Sequence, residues 1–200
     1  MIGRPARVTA AGAALLFVTA LVLGAAFLCS NSGDAAVERA RAIDTSRQVV
    51  DRAGSLLRPF PLPDGRWRLP VRLEEVDPRF VDMLLAYEDA RFYTHFGIEP
   101  LAVRRASWQF AQQGRIVSGA STLTMQVARL LSPRSERTLW GKLVQMRDAV
   151  RLEIAFSKQE ILELYLTLAP YGGNIEGIRA ASLAWFGKEP RRLTPAETAL

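Results

Sequence analysis

An uncharged, apolar run over residues 8–28 limits the fold of this chain more than any other feature. At about 1.5 Å of rise per residue, a helix over this run is about 30 Å long, which matches the hydrocarbon core of a bilayer. Arg4 and Arg7 precede the run and no charge follows before Asp34, so the positive-inside tendency places the N-terminus in the cytoplasm. The run therefore predicts a single transmembrane anchor. A cleaved signal peptide is the alternative, and under both interpretations the remainder is exported.

The remainder of the 200 residues has room for one sizeable domain. A net charge of +6 favours an acidic partner, which leaves nucleic acid, an anionic bilayer and a phosphorylated substrate open. With one cysteine, Cys29, and one histidine, His95, the chain cannot form a zinc cluster, an internal disulfide or a Cys/His nucleophile pair. Metal-free or carboxylate chemistry is favoured. The predicted organisation is a cytoplasmic tail (1–7), a transmembrane anchor (8–30), a stalk that serves as a spacer (31–48) and one domain (49–200).

The domain pattern predicts a mainly α fold with a small N-terminal β element. Two short apolar runs, 49–58 and 67–71, are broken by glycine turns and indicate hairpin-like strands. From Asp77 onward the pattern is helical. The last capping box begins at Thr194, close to the chain end, so we expect a fragment of a longer protein. Helices are predicted from Asp77-Pro78, after Pro100 through Trp108 and Phe110, from Gly119 to Leu131, along the stripe Leu139, Leu143, Met146, Val150 and Ile154, from Ser157, and from Ile178 to Phe186.

Two adjacent carboxylates, Glu88 and Asp89, end the helix that starts at Asp77. Adjacent helical side chains point about 100° apart, so the two carboxylates must have different roles. Glu88 lies beside apolar residues and suits a general base, whereas Asp89 suits an orienting or pairing role. A solvated acidic helix end is the alternative. His95 is either a site residue or a structural partner of the turn at Gly97.

The helix that starts near Gly119 has a polar face made by Thr122, Gln126 and Arg129. Its N-terminus, including Ser121, is expected to offer free backbone N–H groups to a phosphate or a sugar hydroxyl. A well-formed helix start with no ligand is the alternative interpretation.

Cations gather between this helix and the next one along the chain. Preorganised positive charge neutralises a pyrophosphate as it leaves, so the cluster indicates an anion site beside the amide of Gln145. A solvated basic loop is the alternative, and Arg147 and Arg151 are expected at the surface. The clustered cations are Arg129, Arg134, Arg137 and Lys142.

Several ordered motifs resemble glycosyltransferase family 51, the domain of class A penicillin-binding proteins and of monofunctional transglycosylases. The resemblance extends from about Val49 to the end of the chain. Its motifs are Glu88-Asp-x-x-Phe92-x-x-His95-x-Gly97, Gly119-Ala-Ser-Thr-Leu-Thr-Met-Gln126, Ser157-Lys-x-Glu-Ile-Leu-Glu-Leu-Tyr-Leu166 and Tyr171-Gly-Gly-Asn-Ile-Glu-Gly-Ile178.

The resemblance implies a lysozyme-like helical lobe with a smaller membrane-associated jaw, anchored in the bacterial inner membrane with its catalytic domain in the periplasm. It implies polymerisation of lipid II into β-1,4-linked glycan with inversion, Glu88 acting as the general base and Gln145 occupying the second catalytic position. The implied partners are lipid II, the growing strand, membrane lipids and other cell-wall synthases, with no nucleic acid. No cofactor is required, and assistance by Mg or Mn is left open. The implied substrate-binding residues are Asp89, His95, Ser121, Thr122, Gln126, Arg129, Arg137 and Lys142.

Three positions depart from the family pattern. Gln145 stands where the third motif has its glutamate, Met125 replaces a glutamine of the second motif, and Thr167 replaces the asparagine that ends the fourth. A transpeptidase domain, which a class A protein carries after this one, is absent from the 200 residues. Two alternatives therefore stay open, a lysozyme-like glycan-cleaving enzyme and an inactive anchor or scaffold in cell-wall synthesis.

Overall fold

The computed structural model describes residues 34–101, 104, 121–132 and 138–199. The predicted anchor lies outside these ranges, as does most of the helix predicted after Pro100. No helix within the described ranges is both long enough and apolar enough to span a bilayer.

Helices are the main secondary structure of the described chain, and the strands are short, which confirms a mainly α fold with a small β element. Single 3₁₀ turns occur at Leu73–Glu75, Phe92–Thr94 and Pro190–Arg192. The helices are α1 Asp34–Arg41, α2 Pro78–Glu88, α3 Leu123–Leu131, α4 Leu139–Ala155, α5 Lys158–Leu168, α6 Ile178–Phe186 and α7 Pro195–Thr198. The strands are β1 Gln48–Val50, β2 Leu56–Pro59, β3 Trp67–Arg68 and β4 Ile175–Glu176.

Local capping chemistry sets the helix boundaries that the sequence predicted. The Asp77 carboxylate accepts a hydrogen bond from the backbone N–H of Arg79 at 2.9 Å and starts α2. Capping boxes start α5 at Ser157 and α7 at Thr194. Gly187 ends α6 with a φ of 64°, a left-handed conformation that glycine adopts without a Cβ clash.

The β element is only partly the one predicted. β1 and β2 form the expected antiparallel hairpin, with Val49 opposite Arg58. The prediction of a second hairpin-like strand over 67–71 was wrong, because β3 pairs in parallel with β4, far along the chain. A salt bridge of 2.6 Å between Arg68 Nη2 and Glu176 Oε2 stabilises this long-range pair.

α3 lies at the centre of the core, where it packs against α4 and α5. Leu123 and Val127 are fully buried, together with Leu152 of α4 and Leu166 of α5. This packing fixes α3 relative to its neighbours, so the polar residues at its exposed edge have defined positions.

The described part of the predicted stalk, residues 34–48, packs against the helical core. It contains α1, which packs against α3 and α4. Ala36, Val37 and Ala40 of α1 are buried, so the packing of the described chain includes α1 as well as the residues that follow Val49.

Several apolar side chains of α2 and α4 are more exposed than helical spacing indicates. Tyr87 of α2 is 88% exposed, and Leu143 and Ile154 of α4 are 47% and 63% exposed. The covered face of α4 instead carries Ala149 and Leu152, because α1 and α3 pack on that side.

Arg147 was expected at the surface, and this expectation was wrong. Its side chain is buried and forms a 2.7 Å salt bridge with Asp148, the next residue of α4. A buried guanidinium is retained when a carboxylate compensates its lost hydration, which the adjacent aspartate does here.

Candidate active site

The site begins with Glu88, the last residue of α2, which lies across from α3. Gln126, one turn into α3, donates a hydrogen bond from Nε2 to Glu88 Oε2 at 2.6 Å. Glu88 is partly buried, so one side of the carboxylate is held by protein while the other side faces a cleft. This arrangement orients a carboxylate without enclosing it.

The cleft beside Glu88 has a volume of about 450 Å³. It brings together predicted site residues from α2, from α3 and the residue that precedes its cap, and from α4. Tyr87 and Met125, which were not predicted as site residues, complete the described lining. The predicted residues that line the cleft are Glu88, Ser121, Gln126, Arg129, Lys142 and Gln145.

Lys142 enters the cleft from the first turn of α4. Thr138 caps this helix by accepting the backbone N–H of Gly141 at 2.9 Å, and Lys142 Nζ donates to the hydroxyl of Ser121. Burial lowers the pKa of Lys142, and the positive charge of Arg129 lowers this pKa further. Two cations that line one cleft, one of which lowers the pKa of the other, form a site suited to one anionic group, such as a phosphate.

Asp89 turns away from the cleft and is buried. Its carboxylate lies 2.9 Å and 3.0 Å from His95 Nε2 and accepts the backbone N–H of Leu123 at 2.8 Å. Neither Asp89 nor His95 is among the residues that line the cleft. The expectation that the N-terminus of α3 is free to bind substrate therefore needs correction, because Asp89 binds one of its N–H groups.

Thr122, another predicted substrate-binding residue, is also buried. Its hydroxyl donates to the carbonyl oxygen of Gly97 at 2.6 Å and caps α3 by accepting the N–H of Met125 at 3.1 Å. Gly97 has a φ of +75°, and a Cβ there would lie 2.9 Å from backbone atoms of Ala149. Thr122 and Gly97 thus connect the turn after Asp89 to α3 and α4.

Tyr165 of α5 is a neighbour of the site that the sequence did not reveal. Burial raises the pKa of Tyr165 to about 12, and the negative charge of Glu88 also raises this pKa. Its spacing on α5 is that of a core residue, and the side chain is indeed buried. In the sequence, the residue type was the one sign that Tyr165 could lie beside a polar site, because tyrosine combines an apolar ring with a polar hydroxyl.

The described donor set does not fit a divalent metal ion. Hard cations such as Mg²⁺ prefer several oxygen ligands with carboxylates among them. Glu88 is the one carboxylate among the described lining residues, and Lys142 and Arg129 share the cleft with it. No group of three or more His, Cys, Asp or Glu side chains in the described ranges could hold a metal ion. The predicted site residue Arg137 lies outside those ranges.

A mainly helical domain whose cleft places a carboxylate across from two cations suits chemistry between a hydroxyl group and an anionic group. A protein-family comparison is more specific, since the family described as Transglycosylase matches residues 54–200. The chain belongs to this transglycosylase family, the glycosyltransferase family 51 domain of class A penicillin-binding proteins.

Curated relatives agree with this assignment. The chain is 48% identical over 158 residues to penicillin-binding protein 1C of Escherichia coli K12, which covers 79% of this chain and 20% of that protein. It is 36% identical over 174 residues to penicillin-binding protein 1A of Vibrio cholerae, covering 87% and 21%. It is 37% identical over 153 residues to penicillin-binding protein 1A of Escherichia coli K12, covering 76% and 18%. The chain thus spans about a fifth of the length of these relatives.

Proposed function

We propose that this chain is a peptidoglycan glycosyltransferase that polymerises lipid II into β-1,4-linked glycan and releases polyprenyl pyrophosphate. One observation carries the proposal: the carboxylate of Glu88 shares a cleft with the ammonium of Lys142 and the guanidinium of Arg129. Glycosyl transfer from a sugar pyrophosphate needs a base for the acceptor and positive charge for the leaving group. Membership of the transglycosylase family supports the same reaction class.

In the proposed reaction, Glu88 removes the proton from the acceptor's 4-hydroxyl as that oxygen attacks the donor's anomeric carbon. The new C–O bond forms while the bond from this carbon to the pyrophosphate oxygen breaks, so the anomeric configuration inverts. The bonding electrons leave with the pyrophosphate, whose negative charge Lys142 and Arg129 stabilise. The proton on Glu88 then passes to solvent, which restores the base.

The remaining predicted residues fall into two groups, those proposed to contact the donor and those proposed to hold α3 in position. Ser121 and Gln145 line the cleft and are proposed to hydrogen-bond the donor, with Arg137 assigned to the same group by resemblance. Asp89, His95 and Thr122 are proposed to act from beneath the cleft. They hold α3 against the loop that follows Glu88, and this fixes the position of Gln126.

The proposal includes the cellular setting that the resemblance implies. The described helices would belong to a lysozyme-like lobe beside a smaller membrane-associated jaw. Residues 8–30 would anchor the chain in the bacterial inner membrane, with residues 1–7 in the cytoplasm and the domain in the periplasm. Lipid II, the growing strand and membrane lipids would be its partners, and other cell-wall synthases are candidates for association.

The test is gel analysis of products formed from labelled lipid II in detergent by the full-length protein. We expect polymer, we expect Glu88→Gln to abolish it, and we expect moenomycin to block it, as the family resemblance implies. Glu74→Gln is the matched control, because this exposed carboxylate lies outside the cleft and pairs with Arg72. Full polymer yield from Glu88→Gln would refute the assignment of the base.

A second substrate separates synthesis from cleavage. A lysozyme-like hydrolase also uses a catalytic carboxylate in a helical fold, but it has no pyrophosphate to stabilise. Preformed labelled glycan strands are therefore incubated with the protein in the absence of lipid II. Shortening of the strands would favour a glycan-cleaving enzyme, and no change in either assay would favour the scaffold alternative.

A further inference from the structure

The cleft has an unusual charge balance for a site that binds a pyrophosphate. Enzymes that bind phosphorylated substrates often hold Mg²⁺ between one or two carboxylates and the phosphate oxygens. Here Gln145 contributes a neutral amide to the described lining, and the one carboxylate there is Glu88. A second acidic ligand for a cation is therefore missing from the described part of the cleft.

Glu88 by itself is a weak ligand set for a metal ion. Its Oε2 accepts the hydrogen bond from Gln126 at 2.6 Å. If the proposed function holds, the same carboxylate must also accept a proton from the acceptor, and a bound divalent cation would compete with that proton. Metal coordination by Glu88 would therefore weaken its role as the base in the natural chain.

Protein cations already occupy the role that a metal would have. Lys142 Nζ lies against Ser121, and burial, followed by the charge of Arg129, lowers the pKa of Lys142. A divalent cation placed between these two groups would be repelled by both, whereas a pyrophosphate would be attracted by both. The two side chains therefore favour an anion over a divalent cation in the cleft.

We propose that glycosyl transfer by this chain requires no divalent cation, and that the amide of Gln145 is the residue that sets this property. The inference deepens the proposed function and rests on it for the identity of the anion. Its direct consequence is that a carboxylate at position 145 creates a metal site. Gln145→Glu would place a second carboxylate in the cleft with Glu88, so that two carboxylates balance the charges of Lys142 and Arg129 and supply the one or two carboxylate ligands with which proteins commonly bind Mg²⁺.

The stretches of sequence outside the described ranges contain few acidic side chains that could add a metal ligand to the cleft. Residues 1–33 and 102–120 contain no aspartate or glutamate, and residues 133–137 contain one, Glu136. Glu136→Gln therefore belongs in the experiment, because it removes this carboxylate without changing the described cleft.

The first measurement is Mn²⁺ binding to the full-length protein, followed by the loss of the free Mn²⁺ signal in electron paramagnetic resonance. We expect no site-specific binding in the natural chain or in Gln145→Ala, and stoichiometric binding in Gln145→Glu that is lost when Glu88→Gln is added. Binding by the natural chain that disappears in Glu88→Gln or Glu136→Gln would overturn the proposal. Failure of Gln145→Glu to bind Mn²⁺ would overturn the role of position 145.

The second measurement is the initial rate of lipid II polymerisation with EDTA and with added Mg²⁺. Each factor of ten in rate corresponds to about 1.4 kcal/mol, so loss of a metal that stabilised the leaving group would slow the reaction at least about tenfold. We expect a change below about twofold in the natural chain. An EDTA-sensitive rate that Mg²⁺ restores would overturn the proposal. A chain inactive under both conditions would instead contradict the proposed function, and Mn²⁺ binding would then decide the metal question alone.

Discussion

Asp89 Oδ2 accepts a hydrogen bond from the backbone N–H of Leu123 at 2.8 Å, so the residue next to the proposed base holds the first residue of α3. The two neighbouring carboxylates therefore have separate roles. Glu88 faces the cleft, while Asp89 fixes the helix that carries Gln126 and Arg129. A buried carboxylate at a helix N-terminus is also favoured by the helix dipole.

Replacing Asp89 with alanine is expected to destabilise the fold. The change leaves the N–H of Leu123 and the ring of His95 without their buried partner, and such losses cost about 2–4 kcal/mol. The free energy of unfolding from urea titration measures the effect. Because α3 carries Gln126, we also expect kcat for polymerisation to fall more than KM rises.

The conservative variant Asp89→Asn is the control for this prediction. Its amide oxygen still accepts the N–H of Leu123, so we expect it to recover part of the stability and part of kcat. Equal stability of Asp89→Ala and the natural chain would show that the bond to α3 contributes nothing.

Gly97→Ala is expected to destabilise the chain by about 2 kcal/mol or more, because it combines a left-handed conformation with a steric clash. The φ of Gly97 is +75°, and the added Cβ would lie 2.9 Å from the backbone of Ala149. Polymerisation should fall as well, since the carbonyl of Gly97 accepts the hydroxyl of Thr122 at 2.6 Å. Thermal unfolding and initial rates measure the two effects.

Gly187→Ala is the matched comparison. Gly187 has a φ of +64°, but a Cβ there would meet no atom within 4 Å. Only the backbone cost of about 1–2 kcal/mol applies, and the residue does not line the cleft. If both variants lost the same stability, the close approach to Ala149 would be irrelevant.

The sequence predicted the parts of this structure that depend on neighbouring residues. Asp77, Ser157 and Thr194 cap helices where their spacing indicated, and Gly187 ends α6. These boundaries were accessible because side chain and backbone partner lie within a few residues of each other.

Features that join distant segments escaped prediction. The parallel pairing of Trp67 with Ile175 has no local signal. The contact of Asp89 with Leu123 was likewise hidden, although separate roles for Asp89 and Glu88 followed from helix geometry. The exposure of Leu143 and Ile154 depends on which side of α4 is covered, and helical spacing alone does not determine this.

Polymerisation is expected to decline at alkaline pH because Lys142 loses its proton at a lower pH than an ordinary lysine. Burial and then Arg129 lower the pKa of Lys142 from 10.5, so the cation that binds the pyrophosphate disappears below that pH. The free energy of unfolding depends on pH in the opposite direction to the rate. Between the lowered pKa of Lys142 and 10.5, the folded state binds fewer protons than the unfolded state. The free energy of unfolding therefore increases as the pH rises through this range.

Rate profiles against pH for two variants identify the titrating group. Arginine stays protonated throughout, so Lys142→Arg should shift the alkaline decline upward, whatever its maximal rate. Tyr165→Phe should leave the position of the decline unchanged, because the pKa of Tyr165 is raised to about 12. A decline that moved in Tyr165→Phe and stayed in place in Lys142→Arg would assign the titration to the phenol.

Gln126→Leu is expected to lower kcat by about 10-fold to 100-fold, because a hydrogen bond to a charged group contributes about 1.5–3 kcal/mol. Leucine has a similar size but cannot donate to Glu88 Oε2, which Gln126 contacts at 2.6 Å, so the carboxylate loses its orientation toward the acceptor. Gln159→Leu removes a comparable amide-to-carboxylate bond, 3.1 Å to Glu163, at an exposed position outside the cleft, and should leave kcat unchanged. Initial rates of lipid II polymerisation compare the two variants. Equal kcat values for them would show that Glu88 functions without this bond.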